Sequence, residues 1–342
     1  MRIGLAGVGR IGAFHASTLA GLDAVDEVVV ADLDAALAER VATEQGLRHA
    51  PDIDTLLTSG LDAFVITTAT TAHAALLRQA LAAGIPTFCE KPVAATLDET
   101  IALTELSEAS ETPVHIGFQR RFDAGYRRAR AAVESGELGT IHALRALTHD
   151  QEPPHAAYIP TSGGIFRDCS VHDFDIVRFV TGHEVETVYA TGENKGAAFF
   201  GAAGDVDTAA AVLTLDDGTL VTATATRYSG GGHDVRLEVM GSDGSIAVGL
   251  DDSLALRSAE DGVTFPAGPA HRSFMQRFLA AYRAELTAFC DVAAGRAPSP
   301  CTVRDALQAF RTAEACELSR AQRRVVAMSE IPDAPVRAKA TA

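Results

Sequence analysis

One segment, Gly7-Val8-Gly9-Arg10-Ile11-Gly12, constrains this chain more than any other. It follows directly on a short apolar run, residues 3–6, and opens a helical pattern over residues 11–22. A strand that turns into a helix through three glycines starts a βαβ unit, and each glycine has its own task. Gly7 permits the tight turn, Gly9 lets backbone approach a pyrophosphate, and Gly12 allows close packing of helix on strand. The helix then offers its free N–H groups and the positive end of its dipole, with Arg10 and Ile11 in the first turn. Asp32 stands about twenty residues beyond Gly12, at the end of a β-branched run, where an acid bonds the adenosine ribose. That carboxylate repels a 2′-phosphate, and Leu33-Asp34 brings no arginine to offset it, so NAD is preferred over NADP. The competing reading of Asp32 is a solvated cap for the helix starting at Ala35.

The rhythm of the chain extends this unit. Apolar strands over 27–31, 63–67, 86–89 and 114–117 alternate with helical patterns over 35–45, 72–83 and 97–109. Such alternation predicts a parallel sheet covered on both faces. After residue 120 the pattern changes. A helix over 124–135 leads into strands over 141–148, 185–191, 208–215, 221–226, 235–240 and 245–248, with Asp216-Asp217-Gly218 and Ser242-Asp243-Gly244 as turn signals. Helices over 274–294 and 302–320 follow, then a frayed tail of about a dozen residues. The expected fold is α/β: an N-terminal Rossmann dinucleotide-binding domain, residues 1–120, and a C-terminal α+β domain, residues 121–342, with a mostly antiparallel open sheet.

Charge and cysteine usage exclude other classes. Acidic residues outnumber basic ones 45 to 29, for a net charge of −16. That balance disfavours nucleic acid and anionic membrane as partners. No CxxC spacing occurs among the five cysteines, so neither a disulfide framework nor a zinc site is suggested. With no signal-peptide pattern and no apolar stretch long enough to span a bilayer, the expected location is the cytoplasm.

Three further segments complete a recognisable set: Cys89-Glu90-Lys91-Pro92, the run from Gly117 to Asp123, and the run from Gly163 to Asp175 that contains GG-x-x-x-D-x-x-x-H. With the glycine turn they make the chain resemble the Gfo/Idh/MocA oxidoreductases, above all the inositol 2-dehydrogenase branch, over nearly its whole length. The resemblance implies NAD-dependent oxidation of a ring hydroxyl of myo-inositol, or a related cyclic polyol, to the ketone. It implies homo-oligomers, tetramers or dimers, and no metal. It makes His172 the general base, Asp168 a ligand of the reacting sugar that orients His172, and Lys91 a partner of the substrate hydroxyl in the proton relay. Alternatives are oxidation of an aldose or of scyllo-inositol, a non-catalytic NAD-bound sensor, and an NAD-using glycosidase.

The residues themselves allow blander roles. Asp168 and His172 lie at i, i+4 before and within a helix expected over 170–181, so Asp168 can be a cap and His172 a packed ring. A nearby helix N-terminus would disfavour the imidazolium of His172. Glu90, Lys91, Thr67, Thr68 and His73 are expected near the cofactor, His73 with helix capping as its alternative and Lys91 with an ordinary surface lysine as its own. Gln119 and Arg120 are expected toward the nicotinamide. His155, Tyr158, Arg167 and His233 are expected toward the substrate, with packing as the alternative for His155 and Tyr158 and the holding of its own loop as the alternative for Arg167. His233 stands near a place where related inositol dehydrogenases carry tyrosine. Arg121, Arg127, Arg128 and Arg130 read as a solvated helix face, and Cys89 and Cys169 as small buried side chains.

Overall fold

The computed structural model describes residues 1–334, so most of the expected tail lies outside the described residues. The chain divides into two compact units. The first opens with β1 (Arg2–Ala6), α1 (Arg10–Ala20), β2 (Glu27–Ala31), α2 (Ala35–Gln45), β3 (Arg48–His49) and α3 (Ile53–Leu57). It continues with β4 (Ala63–Ile66), α4 (Thr70–Ala82), β5 (Thr87–Glu90), α5 (Leu97–Glu108) and β6 (Val114–Gly117). The strands form one parallel sheet in the order β3-β2-β1-β4-β5-β6. Val30, Phe64, Val65 and Ile66 are fully buried, as strands covered on both faces must be. The order reverses beside β1, so the carboxyl ends of β1 and β4 adjoin at the switch point where doubly wound sheets bind ligands.

The second unit holds α6 (Ala124–Glu134), β7 (Ile141–His149), α7 (Ile159–Ser162), α8 (Val171–Thr181), β8 (Val185–Glu193) and α9 (Phe199–Ala202). After them come β9 (Thr208–Leu215), β10 (Leu220–Thr226), β11 (Asp234–Gly241), β12 (Ser245–Val248) and α10 (Phe274–Arg277). Two helices, α11 (Leu279–Ala293) and α12 (Val303–Gln322), and a short β13 (Val326–Ala327) close the described chain. A seven-stranded sheet runs β12-β11-β7-β10-β9-β8-β13. Its pairs are antiparallel except β7 with β10, which is parallel. Burial alternates along β9 and β10: Ala211, Leu213, Val221 and Ala223 face the core, while Val212, Leu220 and Thr222 are exposed. One face of this sheet is therefore open.

The structure departs from the expected one in three places. Residues 280–307 belong to the first unit, not to a single domain over 121–342. The reason is apolar: Leu286, Phe289 and Cys290 of α11 join the core built by Ile3, Leu5, Val28, Val65 and Phe88. The expected helix over 274–294 is also broken, at Phe278, into α10 and α11. The arginines after β6 differ as well. Arg121 is buried and grips Asp175 with Nε and Nη2, at 2.9 and 2.6 Å to Oδ2 and Oδ1. Arg120 is buried on Asp173 (2.6 Å) and Thr148 (2.8 Å), a structural pair rather than a free nicotinamide ligand. Burial pushes the Asp173 carboxyl up despite that guanidinium. Arg127 and Arg128 do face solvent, and Arg130 lies over the Phe179 ring.

Candidate active site

In the first unit the site is made mainly of backbone. Gly7 sits at φ +91°, and a Cβ there would come within 2.6 Å of the Thr68 backbone. A Cβ on Gly12 would run into the carbonyl oxygen of Gly7, so α1 can lie this close to the turn only with glycine. At Gly9 a Cβ would meet nothing within 4 Å. The backbone there faces open space of the kind a pyrophosphate needs. Gly9 is the N-cap of α1, with no side-chain cap bond, whereas Asp34, Asp52 and Thr96 cap α2, α3 and α5. The N–H groups of Arg10 and Ile11 thus open a helix whose N-cap residue supplies no side-chain bond.

Asp32 braces this turn. Its Oδ2 accepts from the Val8 N–H at 2.8 Å and its Oδ1 from Asp34 N–H at 3.0 Å. Asp34, not Asp32, caps α2, accepting from Ala36 and Leu37, which removes the capping alternative for Asp32. Each Asp32 oxygen keeps acceptor capacity for ribose hydroxyls. The residues therefore fit an adenine dinucleotide.

Several expected cofactor contacts are spent inside the protein. The buried Thr67 hydroxyl donates toward the carbonyls of Ala6 and Gly7, 3.0 and 2.7 Å away, and so holds the glycine turn. Thr68 is half-buried beside Gly7. The two ring nitrogens of buried His73 lie 2.7 Å from the Pro92 carbonyl and 3.0 Å from that of Thr68, a tie between loops rather than a ribose contact or a helix cap. Burial lowers its pKa against the pull of those carbonyls and of Glu90. Buried Glu90 sets Oε1 2.6 Å from His15 Nε2 and accepts from Lys91 N–H at 3.1 Å through Oε2. Lys91 itself is half-buried just past β5 and precedes a cis Pro92. Gln119 is buried two residues beyond β6. Burial, then the charge of Glu90, holds the Cys89 thiol far above its ordinary range, so it is a packing group.

In the second unit the site is made of side chains. Residues 166–170 form a π-helical turn that runs on into α8, so Asp168 does not cap a helix and His172 is not at a free helix end. The dipole argument for a neutral His172 therefore falls. The i, i+4 spacing survives, and half-buried His172 rises one turn beyond Asp168. Asp168 Oδ1 accepts from the Tyr158 hydroxyl at 2.9 Å, and Oδ2 from Arg227 Nη2 at 2.7 Å. Arg227 Nη1 reaches Asp150 Oδ2 at 3.2 Å, and His233 Nδ1 lies 3.3 Å from Asp150 Oδ1. Cys169 Sγ, buried, is 3.6 Å from Asp150 Oδ2.

The electrostatics follow from this chain of contacts. Burial alone would raise Asp150, but the His233 bond and the Arg227 charge bring it below the ordinary carboxylate range. Burial and the neighbouring Asp168 charge push the Tyr158 hydroxyl up, which keeps it a donor. Of the expected substrate residues, Tyr158, Asp168 and His233 share this network. Arg167 does not: it donates to Glu314 (2.7 Å from Nη2) and to the Gly163 carbonyl, and so holds its own loop. His155 is exposed, its Nδ1 accepting from Ala157 N–H.

Arg227 and Asp150 were not among the sequence candidates. The only signal for them is register: His149 of β7 pairs with Thr226 of β10, so the next residue on each strand, an acid and an arginine, stand side by side.

Comparison with known proteins agrees with this construction. Residues 1–118 match the oxidoreductase family with an NAD-binding Rossmann fold. Residues 126–247 match the GFO/IDH/MocA C-terminal domain. The chain is 38% identical to the myo-inositol dehydrogenase Hyg17 of Streptomyces leeuwenhoekii, over 93% of this chain and 97% of that protein. It is 35% identical to the scyllo-inositol 2-dehydrogenase (NAD(+)) of Bacillus subtilis, over 87% and 88%. The crystal structure of scyllo-inositol dehydrogenase from Lactobacillus casei, with bound NAD(H) and scyllo-inositol, superposes with a TM-score of 0.85 at 26% identity, over 96% and 99%. A glycine turn backed by an acid in one unit, a carboxylate network on an open sheet in the other, and family matches to both leave one assignment: the chain belongs to the Gfo/Idh/MocA oxidoreductase family.

Proposed function

We propose that this protein oxidises a ring hydroxyl of myo-inositol to the ketone with NAD, and that Lys91, Asp168 and His172 carry the chemistry. The observation that carries the reading is the Asp168 carboxylate. The Tyr158 hydroxyl holds it at Oδ1 and Arg227 at Oδ2, which fixes an ionised acceptor for a sugar hydroxyl in this network. When bound, NAD supplies the nicotinamide ring that accepts the hydride.

The protein's own residues do the rest. Loss of hydride from a carbinol carbon requires that the hydroxyl proton leave as well. His172 takes that proton at a ring nitrogen. The Lys91 ammonium is the group suited to stabilise the negative charge that grows on a substrate oxygen as hydride leaves. Asp168 accepts from a neighbouring hydroxyl and fixes the ring's orientation. Asp32 holds the adenosine ribose and selects NAD.

The scyllo isomer is the second reading, favoured by the Bacillus subtilis relative's stated substrate. Five reduced, buried cysteines suit the cytoplasm. Among the described residues no helix is long and apolar enough to cross a membrane. Tyr189, Val212 and Leu220, each more than two-fifths exposed on the open sheet face, suit burial against a second copy in a homodimer or tetramer. The test is turnover of NAD with a panel of inositols, glucose, galactose and xylose. NADH formed fastest from an inositol supports the reading. Tight NAD binding with no NADH from any of them contradicts it, as does sugar release from glycosides without net reduction.

A further inference from the structure

Two carboxylates and one guanidinium make an unusual centre for the network in the second unit. The Arg227 side chain is only 3% exposed and spans Asp168 and Asp150, at 2.7 and 3.2 Å. A planar guanidinium bonded at two nitrogens to two different acids has its plane fixed, which a lysine on a flexible stem would not achieve. Asp150 is fixed in turn by His233 and Cys169. The grip therefore passes from the ends of β7 and β10 to a carboxylate on the π-helical turn before α8.

We propose that Arg227 is a positioning residue for the reaction: it holds the Asp168 carboxylate in the plane that receives substrate hydroxyls, with Asp150 anchoring it from the far side. This rests on the reading of Asp168 as a substrate ligand. Arg227 touches no substrate and acts through Asp168 alone. The arrangement also explains why a buried cation is tolerated here. The two acids outweigh it in charge, so the cluster offers acceptors to neutral hydroxyls and leaves no uncompensated cation to attract an acidic sugar.

The test is a double-mutant cycle on the full chain, Arg227→Gln and Asp168→Asn singly and together, reading kcat and KM for myo-inositol and KM for NAD. Arg227→Gln alone should lower kcat/KM for the inositol by about 100-fold, the cost of a misplaced group, with KM for NAD unchanged. In the Asp168→Asn background the same substitution should cost less than about threefold, because the charged carboxylate that Arg227 holds is gone. Arg227→Lys should recover part of the loss, keeping the charge without the fork. Should Arg227→Gln fail to fold, Arg227→Lys takes its place in the cycle and Asp150→Asn supplies a milder loosening of the same arginine. Equal costs in the presence and absence of Asp168 would overturn the positioning role while leaving the inositol reading intact. A wild-type chain that forms no NADH from any inositol overturns the reading and the inference together.

Discussion

The glycine turn of the first unit and the carboxylate network of the second are built in opposite ways. The first is backbone: Gly7, Gly9 and Gly12 lie within six residues, and their effect comes from side chains they lack. The second is side chain, assembled from Asp150, Tyr158, Asp168, Arg227 and His233, which span more than 80 positions of sequence. A site that binds through main-chain N–H groups needs a local path of the chain. A site that binds hydroxyls needs acceptors aimed from several directions, and only a sheet register brings those together.

The largest effects should separate these regions by what fails. Lys91→Met, Asp168→Asn and His172→Ala should each lower kcat by about 10²–10⁴-fold, the range for loss of a positioned acid, base or charge partner. The two changes in the second unit should leave NAD affinity intact by calorimetric titration. Wild-type turnover by His172→Ala at mildly alkaline pH would remove the histidine from the mechanism. Smaller, and confined to the first unit, is Asp32→Ala. Losing charge-assisted bonds to the ribose should raise KM for NAD by about 10- to 100-fold and relax the discrimination against NADP. A wild-type preference for NADP would contradict that role.

Gly12→Ala should act on stability more than on chemistry. Its Cβ meets the Gly7 carbonyl, and such overpacking costs about 1–3 kcal/mol, read as a lower midpoint in thermal unfolding. The mildest effect concerns acid. Asp150 titrates below its ordinary 3.8, so its ion pair stabilises the fold fully above that pH and is lost as pH falls through the lowered native value. Asp150→Asn should therefore flatten the acid limb of stability against pH. An unchanged limb would mean that the pair with Arg227 and His233 contributes nothing to folding.

The same contrast decides what the sequence disclosed. The parallel strands, Asp32 and the Lys91-Pro92 turn were legible because their signals are local: buried β-branched runs, a glycine spacing, a motif after a strand. The Arg121 grip on Asp175 was not, because a charge run looks alike whether it is solvated or folded onto a buried acid 54 residues away. Nor was the return of α11 to the first unit, since an amphipathic helix does not name the core it will join. Asp168 and His172 keep the expected i, i+4 spacing, but the π-helical turn carries the helix upstream of the free start that the sequence suggests, because a π turn leaves no local composition signal. The open sheet contains one parallel pair, β7 with β10, and that pair places Asp150 beside Arg227.

On the proposed function, one bond, the carbinol C–H of an inositol, gives its hydride directly to NAD on this protein. Myo-inositol deuterated at its ring carbons tests it in a single turnover, with the reduced cofactor and the ketone analysed by mass spectrometry. The reduced cofactor should carry one deuterium for each ketone formed, and neither product should form with His172→Ala on the same timescale. Unlabelled NADH, or ketone formed without labelled cofactor, would contradict it.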